Sequence, residues 1–317
     1  MYIIFLIFSV SLLCIVIPYF FKTLPLKDIK EEEVPKEGNL VELSNGNLYY
    51  KLHESKHRGA SKKIIVLVHG FSTPSFVWNG MLNFLLDGGY SVLVYDHYGR
   101  GYSDRPRIKY NKELYVESLK ELLNNLGLEE PVNLVGYSMG GPIVGYFADK
   151  YPERVKTVSM IAPAGFMQNI SLPNNWITKP IIGEWFWHVF GNRIYGIGQM
   201  SETSYSDDQF SINQEEFLIN FKKQLAFSGF VESLLSTVRN FNLFDTRKMY
   251  SNLGKKKIPV FVAWGTKDGV VSYEGSKELL ERIPTAKLLT IEGGTHDITY
   301  RQPSQVAPAL VGFLSDH

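Results

Sequence analysis

Six short runs of apolar, mostly β-branched residues punctuate the chain: I-I-V-L-V (64–68), S-V-L-V-Y (91–95), V-N-L-V (132–135), V-K-T-V-S-M-I (155–161), P-V-F-V-A-W (259–264) and K-L-L-T-I (287–291). Runs that are apolar throughout, rather than at alternate positions, suit strands buried on both faces, as in a mostly parallel sheet. Parallel neighbours need crossover connections, and helical stretches separate the runs. Between the second and third, Tyr115, Leu119, Leu122 and Leu126 recur at helical spacing and Gly127 supplies a stop. Upstream, Val41–Leu43 and Leu48–Leu52 flank Asn45-Gly46, a hairpin signal. The predicted fold class is therefore α/β, with a mostly parallel central sheet and helices on both faces.

The alternation breaks between 166 and 250. That segment carries Trp176, Trp185 and Trp187 among many phenylalanines and tyrosines, and reads as helical in pieces. An insertion between two strands, emerging at their carboxyl ends, lies over the ligand crevice of an α/β sheet. It is predicted to be a helical lid inserted after the sixth strand, dividing the core into 41–165 and 251–317.

No charged side chain precedes Lys22. A helix over 1–21, at ~1.5 Å per residue, matches a hydrocarbon core about 30 Å thick, and the segment lacks the basic start and small-residue site of a cleaved signal peptide. Residues 1–21 are expected to be a transmembrane anchor, and 22–40, with Pro25, Pro35 and a glutamate run, a juxtamembrane linker. The flanking charges conflict on orientation. Lys22, Lys27 and Lys30 favour a cytoplasmic domain, Glu31–Glu33 follow at once, and the sequon Asn169-Ile-Ser171 points the other way. A formal net charge of +1, with both signs spread along the chain, gives no nucleic-acid footprint. The single cysteine, Cys14, lies in the apolar segment, so disulfides, a cysteine nucleophile and a thiolate metal site are excluded for the remainder.

Chemistry is concentrated at the ends of three runs. In V-N-L-V-G-Y-S-M-G-G a buried strand gives way to a helix with Pro142 in its first turn, leaving Ser138 at a sharp strand-to-helix turn. Positions two before and two after such a serine must be small, and Gly136 and Gly140 are. A serine hydroxyl needs a base, and the base an orienting carboxylate. Asp268 follows the run ending at Trp264, and His296 follows the last run, in the order serine, acid, histidine. Asp96 and Asp297 compete for the role of acid. The end of the 155–161 run, an alternative seat for it, reads A-P-A-G and has no carboxylate.

From about Leu40 onward the chain resembles α/β-hydrolase fold enzymes. The resemblance rests on H-G-F at 69–71, D-H-Y-G-R-G-Y-S-D at 96–104 and G-Y-S-M-G-G at 136–141. It implies that Ser138 is the nucleophile, His296 the general base and acid, and Asp268 the residue fixing the imidazole tautomer. It also implies an oxyanion hole made by the backbone N–H groups of Phe71 and Met139, a supporting role for His69 at that loop, and a structural turn closed by Asp96. No metal or organic cofactor is required. An amino-terminal span followed by a hydrolase domain is similar to the arrangement of membrane-anchored monoacylglycerol lipases, which, with the aromatic lid, implies a lipid or other carboxylic ester as substrate. Two alternatives stay open. A carbon-carbon bond hydrolase of the meta-cleavage type shares S-M-G-G, although Asp297 follows His296 where those relatives usually carry tryptophan; the other is a catalytically silent binding module.

Overall fold

The β-branched runs pair as their patterning demands. The computed structural model describes residues 2–55, 63–167, 175–194 and 207–317; the sequon at 169–171 and His57 lie outside the described residues. Among these the strands are β1 (Asn39–Leu43), β2 (Gly46–His53), β3 (Ile64–Val68), β4 (Ser91–Tyr95), β5 (Val132–Tyr137), β6 (Val155–Ile161), β7 (Val260–Gly265) and β8 (Lys287–Ile291). They form one eight-stranded sheet in the order β1-β2-β4-β3-β5-β6-β7-β8. β2 is antiparallel to β1 and β4, and every later pairing is parallel, so the sheet is mostly parallel as expected.

The helices are α1 (Tyr2–Thr23), α2 (Asn79–Asp87), α3 (Lys112–Asn125), α4 (Gly140–Lys150), α5 (Ile182–Ile194), α6 (Gln214–Leu225), α7 (Phe230–Asn240), α8 (Arg247–Leu253), α9 (Glu274–Arg282), α10 (Ile298–Arg301) and α11 (Pro303–Ser315). Successive side chains of a strand point to opposite faces, and the core divides accordingly. Val66 and Val68 share one apolar cluster with Leu119 and Leu122 of α3, Phe147 of α4 and Leu279 of α9. Ile65 and Leu67 join the other, with Met81 and Leu85 of α2 and Leu310 and Phe313 of α11. This two-sided burial explains why those runs carry no polar alternation. Asn133 shows the same constraint from its polar side: buried in β5, it donates to Ile64 O and accepts from Thr157 Oγ1.

Between β6 and β7 the chain leaves the sheet for α5, α6, α7 and α8. Phe217, Phe221, Phe230 and Leu234 of this insertion pack into the cluster on the α2 face. Most of its described aromatics thus serve packing, while Trp176 stays 58 % exposed.

Residues expected to form a membrane span do form a helix, α1, with Pro18 in its interior. Over the described residues, however, no helix is long and apolar enough to cross a membrane. The helix rests on α5 instead: the Trp185 indole donates to Ile15 O at 2.7 Å, close to the point where Pro18 interrupts the backbone ladder. One turn on, the Tyr19 ring meets His188 edge to face.

Leu134 lies at the centre of β5 and is 0 % exposed. Leu134→Ala is expected to lower the unfolding free energy by about 2–5 kcal/mol, read as a lower urea midpoint at unchanged slope.

Candidate active site

Parallel register sets the strand ends side by side. Tyr137 of β5 pairs with Ile161 of β6, Ile161 with Ala263 of β7, and Gly265 of β7 with Ile291 of β8. The segments that follow β5, β7 and β8 therefore emerge at one edge of the sheet, and they carry Ser138, Asp268 and His296.

Ser138 has φ +53°, in the left-handed region that costs an L-residue roughly 1–2 kcal/mol. Backbone bonds hold it there. Its N–H donates to Ile161 O at 2.9 Å, and its carbonyl accepts from Gly141 N at 3.0 Å and Ala164 N at 3.1 Å. The glycines are needed because backbone crowds them: a Cβ on Gly136 would lie 2.2 Å from Gly140 O, and one on Gly140 would lie 2.0 Å from Val68 O.

The strained turn aims the half-buried Ser138 side chain at an imidazole, with His296 Nε2 3.0 Å from Ser138 Oγ. On the other side of the ring, His296 Nδ1 lies 2.8 Å from Asp268 Oδ2. The Asp268 side chain is fully buried, and its second oxygen accepts from Val270 N and Val271 N. With Nδ1–H directed at the carboxylate, Nε2 is left as an acceptor for the serine proton. Such a chain can take a proton from a hydroxyl as it attacks, and return it to a leaving group.

The two loops that present acid and imidazole are fastened to each other. Thr266 N donates to Ile291 O and Lys267 N to Gly294 O, while a Cβ on Gly265 would lie 2.2 Å from Gly294 O. The buried Trp264 indole also donates to Val271 O, closing the turn around Asp268.

Both competing carboxylates are engaged elsewhere. Asp96, 1 % exposed, accepts from Ser75 N and Tyr102 N, and a Cβ on Gly101 would lie 1.7 Å from its Oδ2. Asp297 pairs with Arg301 and Thr295. Phe71 and Met139 flank Ser138: the loop carrying Phe71 comes close enough that a Cβ on Gly70 would be 3.3 Å from Ser138 Cβ, and Met139 directly precedes α4. Among the described residues no group of three or more His, Cys, Asp or Glu could hold a metal ion.

The family model for the alpha/beta hydrolase fold matches residues 63–301. The chain belongs to the alpha/beta hydrolase family, and it is a hydrolase. It is 26 % identical over 281 residues to monoacylglycerol lipase ABHD6 of Bos taurus, covering 84 % of this chain and 80 % of that one. It is 24 % identical over 286 residues to monoacylglycerol lipase abhd6-B of Xenopus laevis, covering 88 % and 83 %. Among solved structures, bromoperoxidase from Bacillus anthracis superposes with TM-score 0.70 at 24 % identity, over 88 % of this chain and 100 % of that one.

Within this hydrolase, three supporting groups escape a reading of sequence. Tyr137 lies against the His296 ring, centroids 5.3 Å apart, and meets Tyr300 edge to face. His97 looks unremarkable in sequence, yet its N–H donates to His69 Nε2 and its Nε2 lies 3.2 Å from His69 O. Arg100 is wholly buried. Only the D-H-Y-G-R-G-Y-S-D motif hints at the last two, because it turns the chain back under the 69–73 loop. His69 itself donates from Nδ1 to Gly70 O at 2.9 Å, and burial pushes its pKa down to about 3, so the ring is neutral at physiological pH.

Two outcomes follow from this geometry. Gly140→Ala is expected to cost more than about 2 kcal/mol in stability and most of the activity, since backbone rather than a flexible side chain must give way; Gly312→Ala, with nothing within 4 Å of the added carbon, serves as the tolerated control. The second concerns pH. Below the ordinary histidine value of 6.5, the unfolded chain binds a proton at residue 69 that the native protein refuses until about pH 3. The contribution is fully present above pH 6.5 and is lost as pH falls, by up to about 1.4 kcal/mol per pH unit. Urea midpoints at pH 7 and pH 5 should therefore diverge more for wild type than for His69→Gln.

Proposed function

We propose that this hydrolase cleaves carboxylic esters, with lipid acyl esters such as monoacylglycerols as its substrate class. The observation that carries the reading is the hydrogen-bonded line from Asp268 through His296 to Ser138, ending on a hydroxyl held in a strained turn. Ser138 Oγ attacks the ester carbonyl carbon while its proton passes to His296 Nε2. The carbonyl oxygen becomes an oxyanion, received by the N–H groups of Phe71 and Met139, the latter favoured by its place at the start of α4. Collapse breaks the carbon–oxygen bond to the alcohol, which leaves with the His296 proton. Water then attacks the acyl-enzyme, giving its proton to His296 and releasing the acid as Ser138 regains its hydrogen. Asp268 stays ionised and fixes the ring.

Lipid esters are favoured by three features. The β6–β7 insertion is aromatic and springs from the edge of the sheet that carries Ser138, so we read it as a lid. α1 carries Lys22 as its only charge, and we read it as a membrane anchor joined to the hydrolase domain by residues 22–40. Two of the relatives above are named monoacylglycerol lipases. An enzyme held at a bilayer meets such substrates at high local concentration.

A fluorophosphonate probe should label wild type and not Ser138→Ala; labelling that persists in the variant would reject the nucleophile. His296→Ala and Asp268→Asn should each lower ester kcat by about 10³-fold or more. A panel of p-nitrophenyl esters, monoacylglycerols and a vinylogous 1,5-diketone tests the reaction class: turnover of the diketone alone would replace this reading with carbon-carbon bond hydrolysis.

A further inference from the structure

Arginine is almost never fully buried without a charged partner. Arg100 is 0 % exposed, and its described hydrogen-bond partners are all neutral. Nε donates to Phe71 O at 2.9 Å, Nη1 to Ser233 Oγ at 3.0 Å, and Nη2 to Thr237 Oγ1 at 3.0 Å. The guanidinium also lies 5.6 Å from the centroid of the Phe71 ring and 5.8 Å from that of Tyr110. Burying a cation without an anion is costly, and an apolar side chain of like volume would fill the same space without that penalty. What the arginine adds is reach in two directions: one edge of its planar fork is tied to the loop beside Ser138, and the other to two residues one turn apart on α7, inside the insertion.

The loop end of this bridge falls on the proposed oxyanion donor. Phe71 sits between two peptide planes. The carbonyl of the preceding plane, Gly70 O, accepts from His69 Nδ1, and in a trans peptide the Phe71 N–H points the opposite way. The carbonyl of the following plane, Phe71 O, is the acceptor for Arg100. With both planes pinned, the direction of the Phe71 N–H is fixed. The α7 end is anchored as firmly: Thr237 Oγ1 also bonds Tyr115 Oη at 2.7 Å, and Ser233 Oγ lies 3.1 Å from Gly99 O.

We infer that Arg100 is a positioning residue that couples helix α7 of the insertion to the Phe71 N–H, so that the oxyanion donor is correctly aimed only while the insertion is seated. The inference rests on the ester-hydrolase reading of this site. It makes the insertion part of the machinery that sets kcat, in addition to any part it plays in binding substrate.

The test uses the full chain, a soluble short-chain p-nitrophenyl ester, and active-site titration with a fluorophosphonate so that rates refer to folded sites. Arg100→Met should lower kcat per titrated site by about tenfold to 10²-fold, below the full loss of an oxyanion donor, with KM within about threefold of wild type. Affinity for a trifluoromethyl ketone, whose adduct carries the oxyanion, should fall by the same factor. Ser233→Ala combined with Thr237→Val spares the Phe71 O acceptor and cuts the α7 side, together with the hydroxyl bonds to Gly99 O and Tyr115; it should reproduce at least a threefold loss of kcat per site, and it carries the test should Arg100→Met fail to fold. Arg100→Lys should recover part of the loss. A purely structural arginine would lower the melting temperature and the titrated fraction but leave kcat per site and analogue affinity unchanged, and that result overturns the inference. Wild type that turns over no ester would sink the reading beneath it as well; active wild type beside unaltered variants sinks this inference alone.

Discussion

One backbone torsion governs the site. Ser138 occupies a conformation that an isolated residue avoids, and it does so because bonds to Ile161, Gly141 and Ala164 specify both of its neighbouring peptide planes. Strain of this kind persists only where the surroundings over-determine it. Here they include a buried strand on one side, an eleven-residue helix on the other, and a contact so close that Gly136, Gly140 and Val68 meet backbone to backbone. Everything chemical about the serine, its outward aim and its distance to His296, is downstream of that packing.

The Asp268 carboxylate and the His296 imidazole depend on a second use of the same principle. Neither Asp268 nor His296 lies on a strand, yet both sit on loops tied to strand ends and to each other, so the rigidity of the sheet is passed on to them through short backbone bonds. The histidine is further confined by Tyr137, the residue just before the serine. Serine and imidazole orientation are thereby coupled within two adjacent residues of β5 and its turn.

How much of this was legible in the sequence follows from which forces are local. Strands β3, β4, β6 and β8 begin and end where their apolar runs do, and β5 and β7 shift by only one or two residues, because two-sided burial writes itself directly into composition. The line Ser138–His296–Asp268 was readable because each residue follows a strand, and parallel register sets such ends together. Tyr137, His97 and Arg100 were not readable in the same way. Their importance arises from contacts between segments distant in the chain, and a buried arginine looks in sequence like any solvated one. The amino terminus differs: the helix expected there is present, but among the described residues no helix is long and apolar enough to cross a membrane, and α1 lies against α5.

The pairing at the base of the β6–β7 insertion has a consequence for how such a protein can change. Phe166 and Asp245 pair across an antiparallel bridge, with Met167 N donating to Phe244 O and Thr246 N to Gly165 O, so the long excursion between these residues starts and finishes at nearly one point. Closing a chain between fixed ends costs little more when it lengthens, about 0.6 kcal/mol for each doubling. Natural variation can therefore enlarge, shorten or re-sculpt that excursion while the sheet stays intact. The guanidinium at position 100 sets the bound on this freedom, because whatever replaces α7 must still offer it two hydroxyls.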